Sequence, residues 1–221
     1  MKKLFILAFG ALLFSACTET RLTVSSKKEP TMPYTRVLAV YLEQACDFSL
    51  FDSTAYNICL KSSFLNADGM ELRKLVEGRI KKHLATTGTT VLQSSDLFDI
   101  ENNDYSYFRR SIDSLHIDAI LMIGLRSYSH EEHMPIGVSS DPDNSALYFP
   151  ANKLPYTPPK PYKTLNAFFI CDLINTKSIY IPVWRAEVEE KGERYTGSNG
   201  LNRKMTKKLA ESLKSSHYVA H

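Results

Sequence analysis

The sequence predicts an α/β fold, with a mixed sheet of about five strands packed with three helices in the order β-α-β-α-β-β-β-α. Short β-branched or apolar runs alternate with segments whose apolar residues recur at helical spacing. Near the end, two apolar runs flank a short polar turn, as in a β-hairpin. With 43% hydrophobic residues and no detectable repeat, we expect one globular domain over residues 34–221.

The first half of that domain contains a strand, a helix and a second strand. The run RVLAVYL, residues 36–42, is apolar enough for a buried strand. Residues 68–88 predict a helix, with Asp68 and Glu71 as a capping-box-like start and Gly88 as the stop. The apolar positions at helical spacing are Leu72, Leu75, Val76, Ile80 and Leu84. The following TTVLQS reads as a strand.

The second half begins with another helix, around residues 104–116, and the most apolar strand, residues 117–129. TLNAFFICDLI and SIYIPVWRAEVEE flank the turn NTKS and predict a hairpin, in which we expect Trp184 to be buried. A last amphipathic helix carries Leu201, Met205, Leu209 and Leu213 on one face.

Residues 1–16 have the pattern of a secretory signal. Lys2 and Lys3 precede an apolar run, and Ser15 and Ala16 are the small residues that a peptidase requires. The run is shorter than the ~20 residues of a membrane-spanning helix. LFSAC resembles a bacterial lipoprotein signal, although Phe14 replaces the usual smaller residue. The resemblance implies cleavage before Cys17, lipidation of its sulfur and a membrane anchor; an ordinary signal that happens to contain a cysteine is the alternative.

Residues 17–33 are polar and contain Pro30 and Pro33, which predicts a lipidated cysteine followed by a flexible tether. Without residues 1–16 the chain has 25 Lys and Arg against 24 Asp and Glu, so we expect no nucleic acid partner. Cys46 and Cys59 could pair across a short loop, or all three remaining cysteines could be buried thiols. For Cys171 we expect a buried thiol.

Four segments together resemble a superfamily of bacterial envelope lipoproteins with the fold of the TolB amino-terminal domain. The segments are RVLAVYL, LRKLVEGRIKKHLATTGTTVL, LHIDAILMIGL and DLINTKSIYIPVWRAEVE. The superfamily includes penicillin-binding-protein activator lipoproteins and the globular part of the curli secretion channel. The resemblance implies a location at the outer membrane, probing the periplasmic side, and Thr18 after the cysteine is similar to the pattern for outer-membrane sorting.

Sharper chemical motifs are weak. In His130-Glu131-Glu132-His133 the histidines are three apart, not the four of the metalloprotease helix, so we expect no metal. Asp118 and Asp172 could be paired catalytic carboxylates, but turn and cap roles fit them better. The sequence has no nucleophile elbow, P-loop or dinucleotide fingerprint, and we expect no catalytic residue and no cofactor.

Residues 129–163 hold seven of the ten prolines and predict a long ordered or irregular loop. Its rings, Tyr148, Phe149, Tyr156 and Tyr162, predict a partner-binding surface, or alternatively a local cover for the sheet. The sequence thus favours a lipid-anchored, non-catalytic envelope protein that binds a protein or cell-wall component. The alternatives are an enzyme acting on an envelope substrate and a homo-oligomeric export component, and the oligomeric state is open.

Overall fold

The computed structural model describes residues 19–28, 32–66, 69–85, 88–98, 103–133, 162–177, 180–192 and 198–220. These residues form one six-stranded mixed sheet with four helices, which confirms the predicted α/β class. The strands are β1 (Glu19–Lys27), β2 (Arg36–Leu42), β3 (Thr90–Gln93), β4 (Ala119–His133), β5 (Tyr162–Asn175) and β6 (Ile181–Gly192). The helices are α1 (Ser53–Ala55, a π-helical turn Tyr56–Lys61, and Ser62–Leu65), α2 (Met70–Leu84), α3 (Tyr105–Ser114) and α4 (Ser198–Ser215).

The sheet has the strand order β1-β6-β5-β4-β2-β3. Strands β3, β2 and the first part of β4 run parallel, and we call them the parallel half. Strands β5, β6, β1 and the rest of β4 are antiparallel neighbours, and we call them the antiparallel half. The predicted hairpin is confirmed as β5 and β6, which pair with Asp172 opposite Arg185. None of the described helices is long and apolar enough to cross a bilayer.

The parallel half is covered by helices on both faces. On β2, Val37, Ala39 and Tyr41 belong to a core with α2 and α4, on what we call the first face. The alternate residues Leu38 and Val40 belong to a core with α1 and α3 on the second face. Burial on both sides explains why β2 is a continuous apolar run without polar alternation.

The antiparallel half is covered on its first face only. On β6, Trp184 and Val188 are buried in the core that includes Leu209 of α4. The alternate residues Glu187 and Lys191 are exposed on the second face, as the alternating burial pattern of β6 shows. The expected burial of Trp184 is therefore confirmed, and Cys171 is confirmed as a buried free thiol on the same first face.

The prediction of a tether over residues 17–33 is wrong for residues 19–27. They form β1, which pairs antiparallel with β6 from Glu19 opposite Lys191 onward. Thr20 is buried and Leu22 partly buried on the first face, while Arg21 is exposed. An edge strand with one weakly apolar face has the composition of a linker, which is why the polar sequence misled the prediction. Cys17 and the signal residues lie outside the described part of the chain.

The prediction also lacked helix α1. Asp52 caps this helix, because its Oδ1 accepts hydrogen bonds from the Thr54 and Ala55 amides at 2.9 Å each. Cys59 on its π-helical turn forms a disulfide with Cys46, which confirms the pairing that the sequence left open. The π-helical turn adds a residue to the repeat, so the buried positions do not follow regular helical spacing.

Candidate functional site

The long loop predicted at 129–163 is shorter, because strands occupy both of its ends. Strand β4 continues to His133 and β5 begins at Tyr162, and these two residues are paired. Residues 134–161 lie outside the described residues, and so do Tyr148, Phe149 and Tyr156. Tyr162 is placed through its backbone alone. The structure therefore defines the base from which the predicted recognition loop departs, namely the end of the β4–β5 hairpin.

The most distinctive feature of that hairpin is an open strand edge. Strand β2 pairs with β4 only as far as Leu42 opposite Gly124, and the last contact is from the Ala45 amide to the Leu125 carbonyl at 2.7 Å. From residue 126 to residue 133, no strand in the described part of the chain pairs with this side of β4. We call residues 126–133 the open edge.

Gly124 explains why the pairing ends there. A Cβ at this position would lie 2.6 Å from the Cα of Ala45 and 3.0 Å from its Cβ. The chain after β2 crosses β4 over this glycine on the second face, where the disulfide between Cys46 and Cys59 attaches it to α1. Because the chain leaves the sheet at this crossing, the rest of β4 has no neighbour on that side among the described strands.

A small apolar pocket lies beside the open edge, on the first face. Its volume is about 100 Å³, comparable to one aliphatic side chain. Tyr128 forms its outer wall and is 53% exposed. The other lining residues come from β2, α2, β4, β5 and α4, and they are Tyr41, Leu72, Leu125, Ala167, Phe169 and Asn202.

Tyr128 reaches this pocket because of a β-bulge. The register of β4 against β5 shifts between Leu125 and Ser127, so Tyr128 lies opposite Ala167 on the first face. In an unbroken strand, residue 128 would share the second face with Met122 and Gly124. A bulge therefore directs this ring toward the pocket, as bulges often do next to binding sites.

Together the open edge and the pocket have the geometry of a site for strand addition. An unpaired strand edge offers backbone N–H and C=O groups to an extended peptide, and a neighbouring pocket selects one of its side chains. The side chains from Arg126 to Glu131 are all exposed, and none is a proline. This arrangement can bind an extended polypeptide segment, and it requires no titrating or nucleophilic group.

The two aspartates considered from the sequence do not share a site. Asp118 accepts hydrogen bonds from Thr35 Oγ1 at 2.6 Å and from the Arg36 amide at 3.1 Å, and it pairs with Lys177 Nζ at 3.0 Å. Burial opposes ionisation of Asp118, but these partners hold its pKa at about 2. Asp172 instead binds the Arg185 guanidinium through Nε at 2.7 Å and Nη2 at 3.2 Å. Each carboxylate has its own structural partners.

A third carboxylate, which the sequence analysis missed, fills the place where α/β proteins often bind ligands. This place is the carboxyl end of the parallel strands. There Glu77 accepts hydrogen bonds from the Tyr41 amide at 3.0 Å, Ser94 Oγ at 2.6 Å and the Ser95 amide at 2.9 Å. Burial raises the pKa of Glu77. Its position four residues after Arg73 on an apolar helix face was the available signal.

The His130–His133 segment lies on β4, at the open edge, rather than on a helix. His130 and Glu131 are exposed, and Glu132 and His133 are placed through their backbone alone. Within the described ranges, no three His, Cys, Asp or Glu side chains are grouped closely enough to hold a metal ion. We therefore assign this segment to the open edge.

Comparison with known proteins gives remote structural likenesses. No family model matches the chain, and no curated protein matches it. A PelC dodecamer from Paraburkholderia phytofirmans is similar with a TM-score of 0.43 and 10% identity, over 93% of this chain and 99% of that one. A variant of that PelC gives 0.43 and 11% identity, over 93% and 100%.

A third solved structure, a PDZ domain protein from Parabacteroides distasonis, gives a TM-score of 0.36 and 12% identity, over 92% of this chain and 38% of that one. At these TM-scores and identities the likenesses carry no argument about function. The function has to be argued from the geometry of the chain itself.

Proposed function

We propose that this chain is a lipid-anchored, non-catalytic bacterial envelope protein that binds a protein partner through its β4–β5 hairpin. The observation that supports the proposal is the open edge, residues 126–133, beside the apolar pocket at Tyr128. A partner segment that adds a strand here would gain backbone hydrogen bonds along the edge and bury one side chain in the pocket.

The register of the sheet relates this site to the proposed anchor. A row of paired residues crosses the antiparallel half from Glu19 to Lys191, Asn166 and Ser129. The start of β1 and the open edge therefore lie at the same end of the sheet. Cys17 precedes Glu19 by two residues, which span at most about 7 Å. With Cys17 lipidated, the partner would meet the open edge close to the membrane surface, on the periplasmic side of the outer membrane.

Site-specific photocrosslinking in cells tests the proposal. A photoreactive phenylalanine analogue at position 128 should give an adduct with a second protein, because Tyr128 forms the wall of the pocket. Position 168 is the matched control, since Phe168 is also exposed, at 39%, but lies on the second face of the adjacent strand. Equal adducts at both positions, or none at position 128, would show that the open edge is not the site.

The rings of the loop between β4 and β5 remain a proposed part of the same site. Replacing Tyr148, Phe149 and Tyr156 with serine should reduce the adduct at position 128 and leave the unfolding midpoint nearly unchanged, because surface-loop residues contribute little to stability. If the triple variant instead loses stability and keeps the adduct, these rings cover the sheet. Tyr162 belongs to the same proposal and would be tested as Tyr162→Ser.

A second candidate, a homo-oligomeric export component, is supported by a further observation. The sheet offers two separate edges, the outer side of β1 and the open edge of β4. Pairing the first in one copy with the second in the next would be a head-to-tail contact, which closes rings or extends filaments. The PelC structures are dodecamers, but their likeness is too remote to argue for this chain. A position-128 adduct of twice the mass of this chain would favour this candidate.

The anchor itself is tested at Cys17. Cys17→Ala should release the protein from membranes or leave it unprocessed, as judged by fractionation and by its mass. A Cys17→Ala chain that is cleaved and fractionates like the wild type would remove the lipid anchor from the proposal, and it would leave the open edge unaffected.

A further inference from the structure

The outward side of α2 and α4 carries a concentration of positive charge that the composition conceals. The two helices pack side by side on the first face and contain ten Lys and Arg against three Asp and Glu. The whole chain has 27 against 24, so the remainder has 17 against 21 and is net acidic. Six exposed residues define what we call the basic surface: Lys81, Lys82, Arg203, Lys204, Lys207 and Lys208.

The like charges of the two helices lie close enough to affect one another. Burial and the charge of Arg203 lower the pKa of Arg79 across the helix pair. Burial and the charges of Lys207, Lys214 and Lys82 lower the pKa of His83. Glu211 pairs with Lys207 at 3.8 Å, but both side chains are mostly exposed and such pairs are weak.

The basic surface continues into a cleft of about 740 Å³ between β1 and α4. Arg21 of β1 and Lys204, Lys207 and Lys208 of α4 line it. Lys208 Nζ also donates a hydrogen bond to the Thr20 carbonyl, which ties α4 to the first strand. The cleft therefore opens beside the start of β1, two residues after Cys17.

We propose that the basic surface and this cleft dock on the anionic phospholipid headgroups of the membrane that holds the Cys17 anchor. The inference rests on the proposed lipid anchor, because the anchor would place acyl chains within about 7 Å of the cleft. At physiological ionic strength the Debye length is about 8 Å, so charges that are held at the headgroups act with little screening.

The shape of the surface favours lipid over a single compact ligand. The basic residues extend along two neighbouring helices of 15 and 18 residues, which are about 22 and 27 Å long. Such a broad surface matches a layer of headgroups, and an acyl anchor is commonly combined with basic residues in this way. Docking would turn the solvated second face of the antiparallel half away from the bilayer.

Lysine acetylation, followed by mass spectrometry, tests the docking without altering the fold. The full lipidated chain is bound to vesicles of phosphatidylcholine, alone or with 30% phosphatidylglycerol. We expect acetylation of Lys204, Lys207 and Lys208 to be at least five-fold slower with phosphatidylglycerol, and the difference to disappear in 0.5 M NaCl. The exposed Lys27 and Lys191 are the internal controls and should react equally on both vesicles.

Two further outcomes would overturn the docking. Equal acetylation on both vesicle types would do so, as would protection of Lys27 and Lys191 to the same degree. If soluble dextran sulfate protects the basic surface and phosphatidylglycerol vesicles do not, the surface binds a soluble polyanion instead.

Charge-reversal variants provide the second measurement. The triple change K204E, K207E and K208E should abolish the protection of Lys81 and Lys82 on phosphatidylglycerol vesicles. The control K27E, R126E and K191E makes the same change in net charge and should retain it; loss of protection in both would indicate a response to net charge alone. The anchor is measured separately, because a lipidated chain floats with phosphatidylcholine vesicles and Cys17→Ala should not.

Discussion

The two halves of the sheet are built in different ways. The parallel half is enclosed by α1 and α3 on one face and by α2 and α4 on the other. The antiparallel half has a helix on its first face only, and its second face presents Arg126, Phe168 and Glu187 to solvent. The open edge, the start of β1 and the base of the predicted recognition loop all belong to this less covered half.

The enclosed half carries much of the aromatic packing. On its second face Phe51, Tyr56, Phe64, Phe98 and Phe108 form a connected cluster with ring centroids 5.1 to 6.3 Å apart. Aromatic pairs at these distances contribute beyond the area that they bury. The comparison teaches that stability and exposure are assigned to different parts of one sheet, and the following predictions test that division.

The largest effect is expected between the two faces of the antiparallel half. Trp184→Ala should lower the free energy of unfolding by roughly 3–5 kcal/mol, because it removes a fully buried ring from the first face. Phe168→Ala, on the second face, should cost less than about 1 kcal/mol. Urea denaturation measures both. Equal losses would mean that the second face is packed, which would remove the distinction between the faces.

The cover of the parallel half depends on the disulfide. Cys46 and Cys59 are 13 residues apart, and closing a loop of this size stabilises a protein by about 3 kcal/mol in the chain-entropy treatment. The double change to serine should lower stability by about that amount and make the protein insensitive to reductant. Hydrogen exchange should accelerate in α1 before β6; uniform acceleration would contradict independent covers.

A pH-dependent effect is expected beneath α4. Glu190 is buried on the first face, where its Oε1 accepts a hydrogen bond from Thr20 Oγ1 at 3.2 Å. Burial raises the pKa of Glu190 from 4.5 to about 7. Folding therefore costs nothing through this group below pH 4.5, and the cost grows as the pH rises through 7, to about 2–3 kcal/mol.

Glu190→Gln should consequently stabilise the protein by several degrees at pH 8 and have little effect at pH 4. The neighbouring Glu189→Gln is the matched control, since Glu189 lies on the second face and pairs with Lys191 at 3.1 Å. Thermal unfolding between pH 4 and 8 measures the difference. Parallel curves for the two variants would show that the first face at Glu190 is wet.

The smallest effect is expected where the parallel half begins. Because the pKa of Asp118 is held at about 2, its stabilising contribution is present above pH 4 and is lost as the pH falls toward 2. Asp118→Asn should destabilise the protein at pH 7 by less than about 1 kcal/mol, since the Lys177 partner is mostly exposed. At pH 2 the variant and the wild type should unfold together, and a gap that persists there would assign the effect to packing.

The sequence predicted the enclosed half better than the open one. RVLAVYL is apolar at every position but the first because β2 is buried on both faces, so composition alone identifies it. Strand β1 needs only Thr20 and Leu22 on its inner side, and its polar outer side resembles a linker. In α1 the π-helical turn shifts the apolar spacing, which hides the helix from a search at period 3.6.

The candidate site depends on relations that no local pattern contains. The open edge exists because the chain crosses Gly124 at Ala45, and Tyr128 reaches the pocket because of a bulge against β5. The basic surface is similarly hidden, because the near-neutral total averages over two helices of one sign and a remainder of the other. Position in the fold, not composition, creates these features.

The pairing of β1 with β6 sets an order of events for the newly made chain. Thr20 and Glu190 are neighbours in the sheet but 170 residues apart in sequence. At synthesis rates of about 5–20 residues per second, the partner of the first strand appears roughly 10–30 s after that strand has been made. Until then the segment beside Cys17 has no strand to pair with, and an extended, unpaired segment is the form in which modifying enzymes can reach a cysteine. The strand made first thus joins the sheet last, and the delay provides time for attachment of the lipid.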